Sequence, residues 1–271
     1  MSGPQCCENP PNLNSTSETT LTGCVEELGG LKCYVVGSPD SKIAVLLISD
    51  IFGYEAPNLR NLAEKVSAAG FYVVVPNFMH DDPYVPENAE RPLGVWLKDH
   101  PTEQGFNEAK LIVEAIKSKG VSKIGAAGFC WGAKVTVDLA KHPYVQAAVI
   151  LHPSFVTVDD IQGVKVPISI LGAEHDQMSP PELVKQFEGV LYKKPEHILT
   201  RLGYQLDEVL TSWILKVGFW ETLLMVDCFV KIFPGVVHGW SVRYKAEDVA
   251  AVKCAEEAHQ DMLGWFTKYL K

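Results

Sequence analysis

Lys123-Ile124-Gly125-Ala126-Ala127-Gly128-Phe129-Cys130-Trp131-Gly132-Ala133-Lys134-Val135-Thr136-Val137-Asp138-Leu139-Ala140 decides the reading of this chain. Its first half is a short apolar run, the pattern of a buried strand. Its second half has the spacing of a buried helix. Between them lies Gly-x-Cys-x-Gly. A strand, a glycine-flanked nucleophile and a helix make a nucleophile elbow, here with Cys130 where serine is usual. The glycines have a physical reason. The turn is sharp and strained, and side chains beside the nucleophile would strike the incoming strand and outgoing helix. A thiol there lies near the positive end of a helix, which favours the reactive thiolate. Gly-x-Cys-x-Gly also arises by chance, and an unpaired cysteine is usually a small buried hydrophobe. The flanking elements and the partners found downstream favour chemistry.

Working outward, strands are expected at Lys32–Val36, Ile43–Ser49, Phe71–Val75, Ala147–Leu151, Val166–Leu171 and Cys228–Phe233. Helices are expected at Asn58–Ala69, Glu103–Lys119, Pro181–Tyr192 and Glu247–Leu270. Residues 76–101, rich in Pro, Asp and aromatic side chains, read as a loop near a pocket. Continuously apolar strands alternating with helices imply an α/β fold, a mostly parallel sheet with helices on both faces. Functional groups then gather at the carboxyl ends of the strands. Residues 1–22 read as a flexible lead, disordered or loosely docked, and 23–271 as a single domain.

Composition excludes several functions. The chain has 271 residues, 47% hydrophobic and 21% charged, which suits a globular enzyme. A net charge of −9 disfavours nonspecific nucleic-acid or anionic-membrane partners. No apolar run suits a membrane span, and Met1 to Thr20 lacks the apolar region of a signal peptide. A reducing, cytoplasmic setting is expected. Seven cysteines without a C-x-x-C give neither a zinc ribbon nor a thioredoxin motif, and no metal is expected. Cys6-Cys7 reads as part of a solvated tail rather than a metal or redox site. The sequon Asn14-Ser15-Thr16 has no meaning without secretion. Monomer and homodimer both stay open.

After such an elbow the acid and then the histidine follow in chain order. The strand Val166–Leu171 runs into Gly172-Ala173-Glu174-His175-Asp176, and Asp176 is the natural acid. A loop carboxylate capping the next helix is its bland alternative; Glu174 is a weaker rival. The last strand runs into Pro234-Gly235-Val236-Val237-His238-Gly239-Trp240, and His238 is the natural base. His152 also follows a strand but precedes Asp176, and His175 reads as a bystander or pocket lining. Asp176 would orient His238, which would hold Cys130 as thiolate or take its proton. The thiolate would attack an ester carbonyl and water would release the acyl group. The oxyanion hole needs backbone N–H groups. Trp131, after the nucleophile, supplies one; Ile51, in the turn Asp50-Ile51-Phe52-Gly53, supplies the other.

These motifs resemble the dienelactone hydrolase (carboxymethylenebutenolidase) family of α/β-hydrolases, most closely its plant members, over roughly residues 23–196 and 228–271. The resemblance rests on Asp50-Ile51-Phe52-Gly53, Gly128-Phe129-Cys130-Trp131-Gly132, Asp176 and His238-Gly239-Trp240. It implies a Cys-His-Asp triad that hydrolyses small-molecule lactones or esters without a cofactor. Asp50 stands where bacterial members have a thiol-gating glutamate, one methylene longer. Arg243 lies one residue from the position of an arginine that binds the substrate carboxylate; Arg60 and Arg91 are unassigned. Phe52, Tyr84, Trp240 and Arg243 are therefore expected around the substrate. Some similar plant proteins carry a β-glucanase label. Glycoside hydrolysis needs two opposed carboxyl groups, and no distinctive pair stands out. A non-catalytic binding protein on the same fold is the competing class.

One stretch departs from the resemblance. His238 follows Asp176 by 62 residues, about twice what a helix, a strand and short connections need. The surplus is 197–227, between Lys193-Lys194-Pro195-Glu196 and Cys228-Phe229-Val230-Lys231, which read as though they should join directly. A lid or partner-binding hairpin, an extra packed helix and translated intron sequence compete. The third is favoured, because the motif is clean on both sides and the insert follows no steady period. It should lie at the sheet edge opposite the site, and Trp213, Ile214, Leu215, Phe219, Trp220, Leu223, Leu224 and Met225 would form an exposed apolar patch unless buried.

Overall fold

The structure, a computed structural model, describes residues 4–7, 9–11, 21–192 and 226–271. Along the chain these form β1 (Cys24–Leu28), β2 (Leu31–Val36), β3 (Ile43–Ile48), α1 (Pro57–Ala68), β4 (Tyr72–Pro76) and α2 (Leu93–Asp99). Next come α3 (Thr102–Ser118), β5 (Lys123–Phe129), α4 (Trp131–Ala140), β6 (Ala147–Leu151) and α5 (Val158–Gln162). The last are β7 (Ile168–His175), α6 (Pro181–Tyr192), β8 (Cys228–Val237) and α7 (Val249–Leu270). One eight-stranded sheet has the order β1-β2-β4-β3-β5-β6-β7-β8. The pairs β1–β2 and β2–β4 are antiparallel; every other pair is parallel.

Side-chain alternation builds two layers around the sheet. In β3, Ala44, Leu46 and Ile48 pack with Ile112, Val113 and Ile116 of α3 and Trp131 and Val135 of α4. Val45 and Leu47 face the other way, onto Leu59, Leu62 and Val66 of α1 and Met262 and Phe266 of α7. The period of two along the strand thus sends successive residues to opposite helix layers. Both faces of the strand are buried, which is why it reads as an unbroken apolar run.

Several elements differ from the sequence expectation. The hairpin β1–β2 turns at Gly29-Gly30, both at positive φ (57° and 86°). A short helix, α2, interrupts the expected loop 76–101, and α5 follows β6 behind a Thr157–Asp160 capping box. Strands β7 and β8 run on to His175 and Val237, so Asp176 and His238 follow directly on strand ends rather than on loops. Pro4–Cys7, within the lead read as flexible, form a 3-10 turn with Gln5 buried.

The sheet also locates the point where the insertion rejoins the fold. Cys228 pairs with Ile168, so β7 and β8 start together, at the end of the sheet away from Asp176 and His238. The insertion's last two residues, Val226 and Asp227, belong to the fold: Val226 is buried, and the Asp227 carbonyl accepts from Ile168 N–H at 3.0 Å. The rest of 197–227, with its expected apolar patch, lies outside the described residues.

Candidate active site

Five strands deliver polar groups to one end of the sheet. Asp50 follows β3, Cys130 β5, His152 β6, Asp176 β7 and His238 β8. Cys130 stands between β5 and α4 at φ 52°, ψ −110°. A non-glycine residue there is strained, and the packing around it maintains the strain. Gly128 and Gly132 are forced. A Cβ on Gly128 would lie 2.2 Å from the Gly132 carbonyl oxygen, and one on Gly132 would lie 2.2 Å from the Ile48 carbonyl oxygen.

Cys130, His238 and Asp176 are all buried, at 0%, 1% and 4% exposure. His238 Nδ1 lies 2.8 Å from Asp176 Oδ2. The other carboxylate oxygen of Asp176 accepts from the Met178 and Ser179 amides at 2.8 and 3.1 Å, which fixes its direction. His238 also hydrogen-bonds Cys130. Burial pushes this imidazole toward neutrality, but the charge of Cys130 and the Asp176 carboxylate outweigh it and raise its pKa to about 9. A protonated histidine against a thiol is the setting in which thiolate forms most readily.

The remaining expected residues fall into distinct roles. Trp131 opens α4, so its amide has no acceptor within the helix. Ile51 sits in the turn after β3, where the Asp50 carboxylate accepts from Phe52 N–H at 2.9 Å. The other oxygen of Asp50 takes Arg243 Nε at 2.6 Å, a pair buried on both sides. Arg243 also covers the Phe52 ring at 4.7 Å. Asp50 and Arg243, read separately as a thiol gate and a carboxylate binder, thus hold each other. Tyr84 packs edge-on to Trp96, and its amide donates to the Ile51 carbonyl at 2.9 Å. Trp240 lies 5.3 Å from the His152 ring, centroid to centroid.

The rivals lie elsewhere. Glu174 accepts from Gly235 N–H at 2.6 Å, and the His175 side chain is exposed. Arg60 pairs with Glu55, and Arg91 with Asp82 and Asp99. His152 stacks edge-on against His238, 5.0 Å between centroids, with Nε2 2.9 Å from Ser241 Oγ. Burial, with the charges of His238 and Arg243, pushes its pKa well down, so it stays neutral.

Two contacts escaped the sequence reading. Ser154 Oγ lies 3.3 Å from Cys130 Sγ, and Ser154 N–H donates to the Cys130 carbonyl at 3.0 Å. The signal was faint: Ser154 lies two residues beyond His152, at the end of the strand beside β5. Gln5 reaches the segment carrying Asp176 from the far end of the chain. Among the described residues, no three His, Cys, Asp or Glu side chains form a metal-holding group, and no helix is long and apolar enough to cross a membrane.

A mostly parallel sheet with a cysteine elbow and a buried histidine–aspartate pair at its carboxyl edge defines an α/β-hydrolase fold. The sequence model of the dienelactone hydrolase family matches residues 31–200, and the chain belongs to that family. It is 40% identical over 195 residues to a Zea mays protein named endo-1,3;1,4-beta-D-glucanase, covering 71% of this chain and 63% of the maize protein. A carboxymethylenebutenolidase homolog from Xenopus tropicalis is 28% identical over 273 residues, covering 98% of each. Two solved structures share the fold. One is a dienelactone hydrolase-like promiscuous phosphotriesterase, P91, from metagenomic libraries, with a TM-score of 0.62, 14% identity and coverage of 91% of this chain and 97% of that one. The other is TT1662 from Thermus thermophilus, at 0.60, 15%, 93% and 99%.

Proposed function

We propose that this member of a hydrolase family cleaves carboxylic esters or lactones with Cys130 as nucleophile, His238 as acid and base, and Asp176 as orienting carboxylate. The observation that carries this reading is the chain of hydrogen bonds from Asp176 through His238 to Cys130, on a strained elbow between two obligatory glycines. The thiolate attacks the carbonyl carbon, and the carbonyl π electrons move to oxygen. The Ile51 and Trp131 amides hold that oxyanion. Collapse expels the alkoxide, which takes the proton of His238, leaving a thioester on Cys130. Water then attacks the thioester, giving a proton to His238, and the acid product leaves as the thiolate re-forms. No cofactor enters these steps. Free cysteines suit a reducing compartment.

Arg243 is neutralised by Asp50, while Arg60 and Arg91 are paired elsewhere. We infer that uncharged esters are better substrates than a dienelactone carrying a carboxylate. The maize relative's name concerns β-glucan. Here the buried carboxylates Asp176 and Asp50 are committed to His238 and Arg243, so neither is placed as a general acid for a glycosidic oxygen.

Purified protein should hydrolyse p-nitrophenyl acetate faster than a dienelactone and leave mixed-linkage β-glucan intact. Cys130→Ala should lose the ester activity by at least ~10³-fold, as removal of a covalent nucleophile does. Iodoacetamide should label Cys130 ahead of the other cysteines. An inactive wild type whose cysteines all react alike would move the reading to a binding protein.

A further inference from the structure

The N-terminal turn plays no part in the mechanism above, yet it touches the site. Gln5 is buried at 6% exposure, unusual for a glutamine. Its Nε2 donates to the His175 carbonyl at 2.6 Å, and its Oε1 accepts from Gln177 N–H at 2.5 Å. Those two peptide groups flank Asp176. The β7–β8 ladder is irregular between Ala173 and His175. The carboxamide, which both donates and accepts, satisfies the backbone just where regular pairing ends. Two residues on, Cys7 hydrogen-bonds the Tyr84 side chain and packs on the cluster containing Cys130, Phe52 and Tyr84. Tyr84 in turn is tied to Ile51 through its amide. One short turn therefore contacts the acid's segment and, through Tyr84, the oxyanion turn.

We propose that the N-terminal turn is a working part of the site and that Gln5 is a positioning residue for Asp176, clamping the backbone on both sides of it. This rests on the triad reading above. Asp176 directs one oxygen to His238 and the other to the amides of Met178 and Ser179. With the flanking peptides held at 175 and 177, the carboxylate stays aimed at Nδ1. Without the clamp the segment shifts, and His238 loses part of the interaction that keeps it protonated.

The test is Gln5→Ala and Gln5→Met in the full chain; methionine keeps the length and packing but removes both hydrogen bonds, should alanine undock the turn. Ester hydrolysis and Cys130 alkylation by iodoacetamide, followed by mass spectrometry, are measured against pH in the same preparations. The expected result is kcat lowered roughly tenfold with KM nearly unchanged, the alkaline limb of ester hydrolysis moved about one pH unit lower, and the acid limb of alkylation, where the thiolate forms, moved about one unit higher. Profiles superimposed on the wild type would overturn the proposal, because a glutamine that only anchors the terminus leaves them in place. The two readings fail separately. Alkylation limbs that move in a protein hydrolysing no ester sink the hydrolase reading and keep the positioning role. Unmoved limbs in an active esterase do the reverse.

Discussion

His238 holds a proton that burial alone would remove. Burial favours the neutral ring, but the Cys130 and Asp176 charges reverse it and set the pKa at about 9, against an ordinary 6.5. The folded state therefore binds this proton more tightly than the unfolded chain does. The stabilisation is complete below pH 6.5 and is lost as pH rises through about 9. In the proposed mechanism catalysis shares the alkaline limit, since the leaving alkoxide needs the proton of His238. Ester hydrolysis should fall off above about pH 9, an apparent value belonging to the coupled thiol–imidazole pair. In Cys130→Ala the leading source of the upward shift is gone, so NMR titration should find His238 ionising at lower pH; an unchanged titration would remove the ion pair from the mechanism. Cys130, Asp176 and His238 were legible in the sequence because each follows a strand, in the right order. Ser154 and Gln5 were not. A serine hydroxyl or a glutamine amide acquires its role only from the neighbour that the fold brings to it. The Asp50–Arg243 pair was likewise hidden, since nothing local links positions 193 residues apart.

At the scale of elements, the elbow depends on how closely α4 approaches β3. Gly132 sits where a Cβ would meet the Ile48 and Ser49 carbonyl oxygens at 2.2 and 2.6 Å. Both are backbone atoms beside the sheet, so neither can swing aside as a side chain would. Gly132→Ala should destabilise the fold by about 3 kcal/mol, the upper range for overpacking, and displace the thiol. Gly264, on an exposed turn of α7, has nothing within 4 Å of an added Cβ. Gly264→Ala should stabilise by about 1 kcal/mol through helix propensity alone. Urea unfolding of the two variants checks the contrast; equal effects would show that propensity, not the close approach, governs position 132. The parallel core strands and long helices were legible because each buries a periodic apolar face. Gly29-Gly30 was itself a hairpin signal, passed over because β1 is mostly exposed. The short helices α2 and α5 bury only Leu93 and Trp96, and Ile161, too few for a period to register.

For the whole molecule, the decisive geometry is that Val226 and Asp227, the described end of the insertion, and the site lie at opposite ends of the same two strands. β7 and β8 start side by side at Ile168 and Cys228, and they finish next to Asp176 and His238. A segment joining α6 to β8 enters at the start of β8. The structure also moves the boundary of what can be removed. Val226 fills the cluster around Val184, Phe187 and Leu191, and Asp227 binds Lys268 at 2.6 Å and the Tyr269 hydroxyl. Deleting 197–227 would leave a cavity beside α6 and an unpaired lysine on α7. Deleting 197–225 keeps both contacts and leaves Lys193-Lys194-Pro195-Glu196 with Val226 and Asp227 as a six-residue connection from α6 to β8, an ordinary length between a helix and a strand. The deleted stretch carries Trp213, Ile214, Leu215, Phe219, Trp220, Leu223, Leu224 and Met225, an apolar load that favours association wherever it is uncovered. Removal of 197–225 should therefore raise soluble yield while kcat/KM for p-nitrophenyl acetate stays within about twofold of the full chain, because the strand ends that carry the proposed triad are untouched. If yield rises but activity collapses, the insertion reaches around the sheet to act as a lid. If yield falls with the melting temperature, it is a packed helix and part of the core. Transcripts that consistently encode 197–227 would sink its reading as retained intron sequence, whatever the deletion does.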